Sequence, residues 1–228
     1  MSTRWVSWGG LRRALHPLFL RYWAHATRQE SRTQVEGFDL TVLPTVFHPK
    51  YFGSSAMLAR FIGSLELKGK RLLDVGCGSG IISLCAARAG ACVTAADINP
   101  AAVECASINA ERARLPIVVR WSDLFSDIPE TFDVIAWNPP FFRGTPQNTA
   151  QAAFFGGESY EVIARFTAEV RGHLNPGGHI YTVLSEDADV SFVEELFLKN
   201  GFASATAASE PLLLGERMRI LCSHLHGR

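Results

Sequence analysis

Apolar and polar positions alternate irregularly at the start of the chain and regularly from about residue 71 onward. Leu11, Leu15, Leu18, Phe19, Tyr22 and Trp23 recur at helical spacing, with Pro17 predicting a break inside that stretch. Residues 37–46 predict a short β excursion turned at Pro44, and 54–62 a helix. The periods of two and 3.6 then take turns: a strand over 72–75, a helix over 81–89, a strand over 92–96 and a helix from Ala101. Strands over 117–120 and 132–137 follow. After a loop come a helix over 160–170, a strand over 179–184, a helix over 191–199 and two last strands ending in 217–224. Strands separated by helix-length segments predict a mostly parallel sheet with helices on both faces. Such sheets bind ligands outside the carboxyl ends of their strands.

Composition narrows the class. With 228 residues, 47% of them hydrophobic and 19% charged, the chain has the make-up of one globular α/β domain. The formal charge is zero, which weighs against a dedicated nucleic-acid binder. It is unevenly spread: residues 1–35 hold six arginines against Glu30 alone, a net of +5. Five cysteines without CxxC spacing, three of them (Cys77, Cys85, Cys92) where small apolar residues are expected, predict packing thiols and no metal site. No apolar run reaches the roughly 20 residues of a transmembrane helix. The Arg-rich start is also compatible with a mitochondrial transit peptide, but the cytoplasm is the expected location.

Two motifs carry chemistry. Asp74-Val75-Gly76-Cys77-Gly78-Ser79-Gly80 follows an apolar strand and opens a helix. Glycines at Gly76, Gly78 and Gly80 permit a sharp turn and close approach of a ligand to the main chain. The spacing is GxGxG, not the GxGxxG of a dinucleotide site, and the acidic Asp74 suits a cationic ligand better than a pyrophosphate. Asp97 closes the next strand, where a carboxylate can accept two hydrogen bonds from a vicinal diol, while Asn99 is placed to cap the helix starting at Pro100.

The second motif is Phe132-Asp133-Val134-Ile135-Ala136-Trp137-Asn138-Pro139-Pro140-Phe141. Prolines stop the strand and fix the backbone. The Asn138 side chain and the Pro139 carbonyl can then offer two acceptors to the two N–H bonds of an amino group, with Pro140 completing the turn and Phe141 offering a flat face for stacking.

The first motif resembles the DxGxGxG run of class I S-adenosylmethionine-dependent methyltransferases. The second resembles the (N/D)PP(Y/F/W) element of the amino-methyltransferases, and the closest likeness, over residues 45 to 225, is to the HemK-like branch. Val46-Phe47-His48-Pro49, the stretch Phe154-Phe155-Gly156-Gly157-Glu158-Ser159-Tyr160 and Leu174-Asn175-Pro176-Gly177-Gly178 share in it. The resemblance implies a Rossmann-like fold, a seven-stranded sheet that is parallel except for an antiparallel last strand. It implies S-adenosylmethionine as cofactor, with S-adenosylhomocysteine as product. It places Asp74, Gly76, Gly78 and Gly80 at the methionine portion and Asp97 at the ribose. Asp123 would then accept from the adenine amino group, with Ile98 and Leu124 against the ring. Asn138, Pro139, Pro140 and Phe141 become the catalytic group, with Asn138 also among the cofactor-binding residues.

This chain departs from that branch in carrying Phe141 where many relatives have tyrosine, and Gly53-Ser54-Ser55 where an acidic-Thr pair is usual. Residues 1–45 are expected as a helical extension, a lid or substrate-contacting segment, and 46–228 as the methyltransferase domain. The expected acceptor is a nitrogen of a protein side chain or a small molecule. A nucleobase, O- or C-methylation of a metabolite, and a catalytically silent scaffold stay open as alternatives.

Overall fold

The computed structural model describes residues 29–211 and 217–226. Its centre is a seven-stranded sheet in the order β5-β4-β3-β6-β7-β9-β8. The strands are β3 (Arg71–Val75), β4 (Cys92–Asp97), β5 (Ile117–Trp121), β6 (Phe132–Trp137), β7 (Leu174–Ser185), β8 (Phe202–Pro211) and β9 (Arg217–Leu225). Pairing is parallel from β5 through β7, and β9 runs antiparallel to both β7 and β8. The fold is the Rossmann-like one expected, with the last strand reversed.

The period of two sorts side chains between two cores. Leu72, Val134, Ala136, Val183 and Ile220 face one cluster, together with Met57, Leu58 and Ile62 of α2 (Ser54–Gly63) and Ile81, Ile82 and Cys85 of α3 (Ile81–Arg88). Their chain neighbours Leu73, Ile135, Trp137, Leu184 and Leu221 face the other. There they meet Ile163 and Phe166 of α6 (Glu161–Glu169) and Val193 and Phe197 of α7 (Val190–Lys199). Trp137 stacks on Phe166 with centroids 3.7 Å apart. Burying both faces explains why these strands read as nearly continuous apolar runs.

Strand β7 is longer than expected because Leu174-Asn175-Pro176-Gly177-Gly178 does not precede the strand but bulges out of it. Leu174 pairs with Phe132 and His179 with Val134, so β7 advances five residues while β6 advances two. Cys77, Cys85 and Cys105 are buried thiols as expected of packing cysteines, whereas Cys92 is exposed at the head of β4.

The expected helical stripe of residues 11–23 lies outside the described residues. Within the expected extension, the described part is a two-stranded antiparallel hairpin, β1 (Ser31–Val35) and β2 (Phe38–Val42). The β excursion was legible in 37–46; β1, with the sequence SRTQV, has too few apolar residues to announce itself. The hairpin is packed into the domain: Leu40 and Val42 are buried, Leu40 in the first core. Asn109 of α4 (Pro100–Ala113) accepts from the Thr41 N–H at 2.8 Å and donates to the Thr41 carbonyl at 2.8 Å and the Ser79 carbonyl at 2.9 Å. One buried amide thus ties the hairpin to the glycine-rich turn.

Candidate active site

The order of strands reverses at β3, between β4 and β6, and a cleft of about 270 Å³ opens beyond the carboxyl ends there. Gly76, Gly78, Asp97, Ile98, Asp123, Leu124, Asn138 and Pro140, all expected at the site, line it together. Asp74, Gly80, Pro139 and Phe141 do not, and each has another place.

Gly76 and Gly78 have φ of 66° and 53°, and a Cβ on either would meet nothing within 4 Å. Left-handed backbone beside open space fits a turn that a ligand approaches from outside. Gly80 differs: a Cβ there would stand 3.1 Å from that of Ala106, so this glycine lets α3 pack on α4. Asp74 is fully buried beneath the turn. Its Oδ2 accepts from the backbone N–H of Ser83 at 3.0 Å and from its hydroxyl at 2.6 Å, while Oδ1 has no partner among the described residues. Through Oδ2 it holds the first turn of α3. Burial outweighs those two hydrogen bonds and raises its pKa to about 7.

Asp97 fastens the glycine turn to the next strand. Its Oδ2 accepts from the Gly78 N–H and its Oδ1 from the Asn99 N–H, both at 2.9 Å. Burial raises its pKa against these bonds. Each carboxylate oxygen has a second lone pair, so both can also accept from a diol in the cleft. Asn99 caps α4 as expected, accepting from the Ala101 N–H at 3.0 Å, and donates to the carbonyl and hydroxyl of Thr45. Asp123 pairs with Arg165 at 3.1 Å through Oδ2, and both line the cleft. Leu124 is nearly buried at φ 51° and Ile98 is half exposed, so the two offer apolar surface at the same end.

At the other end β6 delivers Asn138. Its Nδ2 donates to Ser54 Oγ at 3.2 Å and Ser55 Oγ at 2.9 Å, and its buried Oδ1 has no partner among the described residues. Pro139 is buried behind the cleft. Phe141 packs against both cores, and its carbonyl accepts from Tyr160 Oη at 3.0 Å. Phe141 is not among the cleft-lining residues, whereas the rings Phe47 and Phe155 are. Phe47 sits in a ring cluster with Phe52 and Phe154, at centroid distances of 4.5 and 5.3 Å. The segment after the prolines folds back through Phe142 N–H to Phe154 O and Gly156 N–H to Phe142 O, at 2.9 and 3.0 Å. It passes so close to Pro140 that a side chain at Gly156 would collide with the Pro140 carbonyl.

Thr45, Phe47, Ser55, Phe155 and Arg165 line the cleft without having been singled out as site residues. Phe47, Ser55 and Phe155 stand in stretches whose family likeness was visible. Arg165, on a mid-helix position of α6, gave no signal.

A glycine-rich turn, a carboxylate at the end of β4 and a second at the end of β5, converging where the sheet reverses, define a class I S-adenosylmethionine-dependent methyltransferase. The chain belongs to the family described as the methyltransferase small domain, whose profile matches residues 38–210. Among curated relatives it is 33% identical over 158 residues to a putative protein N5-glutamine methyltransferase of Methanocaldococcus jannaschii, covering 67% of this chain and 78% of that one. It is also 33% identical over 159 residues to the ribosomal RNA small subunit methyltransferase C of Hamiltonella defensa, covering 68% of this chain but only 43% of that protein. The T. thermophilus 16S rRNA N2 G1207 methyltransferase, solved with AdoMet and guanosine, superposes with a TM-score of 0.65 at 23% identity. That superposition covers 87% of this chain and 50% of that one, and shows the shared fold. The cofactor is S-adenosylmethionine, and the open glycine turn and the free lone pairs of Asp97 fit it. Among the described residues no helix is long and apolar enough to cross a membrane.

Proposed function

We propose that this enzyme methylates a nitrogen, the amide or amine of a protein side chain or of a comparable small molecule, in the manner of the HemK-like branch. The observation that carries the reading is Asn138 at the cleft end of β6, with an unpaired acceptor oxygen and both N–H bonds already engaged. A buried oxygen without a donor costs about 1–3 kcal/mol, which an incoming N–H would recover. The relative with a glutamine side chain in its name supports the same chemistry.

The residues divide the work. Gly76 and Gly78 admit the cofactor to the main chain, and Asp97 holds its diol. Asp123 accepts from the adenine amino group through Oδ1, its Oδ2 being held by Arg165. The cofactor, when bound, supplies a methyl group on a positively charged sulfur with a neutral thioether as leaving group. Asn138 fixes the acceptor nitrogen by its N–H so that the lone pair points along the line of displacement. So held, the nitrogen would meet the methyl group the cofactor supplies, and the proton it then sheds would pass to water. Alignment supplies the rate, and no strong base is required.

Labelled-methyl transfer into a fractionated lysate tests the assignment. Base-stable label on protein or on small amines and amides is expected. Label confined to nucleic acid would replace it with the nucleobase reading, which the ribosomal RNA relative and the rings of Phe47 and Phe155 favour.

A further inference from the structure

The prolines after Asn138 fix its backbone but not which end of its amide faces the cleft. The two ends are nearly equal in shape and opposite in hydrogen-bond character, one a double donor and the other an acceptor. A half-turn about the last torsion would present N–H bonds to an acceptor nitrogen that itself brings N–H bonds, and transfer would lose its alignment. Among the described residues two hydroxyls contact the amide: Ser54 Oγ and Ser55 Oγ, at 3.2 and 2.9 Å from Nδ2. Both serines are buried, at 1% and 8% exposure, in the first turn of α2. Together they use both N–H bonds of Asn138 and leave Oδ1 as the lone unpaired atom of the amide.

We infer that Ser54 and Ser55 are positioning residues that hold the Asn138 amide in place at the cleft end of β6, with Oδ1 left for the methyl-accepting nitrogen. The inference rests on the nitrogen-methylation reading above. It also gives a purpose to Gly53-Ser54-Ser55, which stands where the branch this chain resembles carries other residues. Gly53, at φ 61°, joins the short helix α1 (Pro49–Phe52) to α2 and brings the serines to the end of β6.

The test uses the full-length enzyme and the acceptor fraction identified by lysate labelling, with S-adenosylhomocysteine binding as the check on folding. Alanine is a good helix former, so Ser54→Ala/Ser55→Ala keeps α2. The double variant is expected to bind S-adenosylhomocysteine as the wild type does while its kcat falls about 10- to 100-fold through lost alignment. Ser55→Thr, which keeps the hydroxyl, is expected to recover most of the rate lost in Ser55→Ala. The side-chain amide resonance of Asn138 in the S-adenosylhomocysteine complex should lose its protection from solvent exchange in the double variant, a change independent of any acceptor. Wild-type kcat and an unchanged Asn138 resonance in the double variant, with Asn138→Ala inactive in the same assay, would overturn the role of the serines alone. Full turnover in Asn138→Ala would overturn the nitrogen-methylation reading and the inference with it.

Discussion

On the cofactor side of the cleft, Asp97 is fastened to Gly78 and Asn99, 19 and two positions away, and Asp74 to Ser83, nine positions away. On the acceptor side, Asn138 is held by Ser54 and Ser55, 84 and 83 positions away, and the lining rings come from Phe47 and Phe155. The carboxylate tethers of the first half join residues fewer than 20 positions apart, with Arg165 and Asn109 bracing it from farther off; the second half exists only once the fold has gathered distant segments. Changes in the first should therefore remove cofactor binding, and changes in the second should alter transfer while the cofactor still binds.

The largest effect belongs to Gly78→Val. It puts a β-branched side chain at φ 53° and points it into open space that the cofactor needs. Isothermal titration with S-adenosylhomocysteine is expected to show no binding; wild-type affinity would remove the glycine turn from the cofactor site. Next comes Asn138→Ala, which should bind the same ligand normally and lose about 30- to 1000-fold in turnover with the acceptor fraction. A parallel loss of cofactor affinity would erase the division between the halves.

A smaller effect concerns Asp74 and pH. Its pKa rises from 3.8 to about 7 on folding, because burial disfavours the charged form. The stability it contributes is then fully present below about pH 4 and is lost as pH rises through 7. Asp74→Asn cannot ionise, so its stability relative to the wild type should climb between pH 4 and pH 8, by roughly 2–4 kcal/mol. Urea unfolding at both ends of that range checks it, and a difference that stays flat would mean the carboxyl is not desolvated. The smallest effect is expected at Phe141→Leu. With its ring in the cores and not in the cleft, the change should cost about 1–2 kcal/mol of stability and leave S-adenosylhomocysteine affinity untouched. Weakened ligand binding at full stability would return the ring to the site.

The same contrast explains what could be read from the sequence. The strand and helix periods from Arg71 on, the cap at Asn99 and the glycine turn depend on neighbours in the chain, and the structure has them where the pattern put them. That Asp74 would lie beneath the turn and out of the cleft lining was not legible, because an acidic residue before glycines looks the same whether its carboxylate faces a cleft or a helix N-terminus; burial is a property of the packed sheet. The packing role of Gly80 was hidden for a similar reason, since the contact that needs it lies on α4 at Ala106. Phe141 was drawn into the site by its place in a motif, but the chain turns after Pro140 and the cores claim the ring. Arg165 had no signature at all: its ion pair with Asp123, 42 positions away, exists only in the folded chain.

The hairpin at the front of the described chain has a practical consequence through Asn109. That amide reads the backbone of Thr41 on one side and holds the Ser79 carbonyl of the cofactor turn on the other, so severing the chain between β2 and α1 would disconnect the turn from one of its braces. A two-piece version of this enzyme, divided near residue 45, would make cofactor capture depend on the smaller piece docking back through its buried apolar side chains and its bonds to Asn109. Methyl transfer could then be switched by whatever brings the two pieces together, which makes this hairpin a natural place to build a conditional enzyme or an assembly reporter.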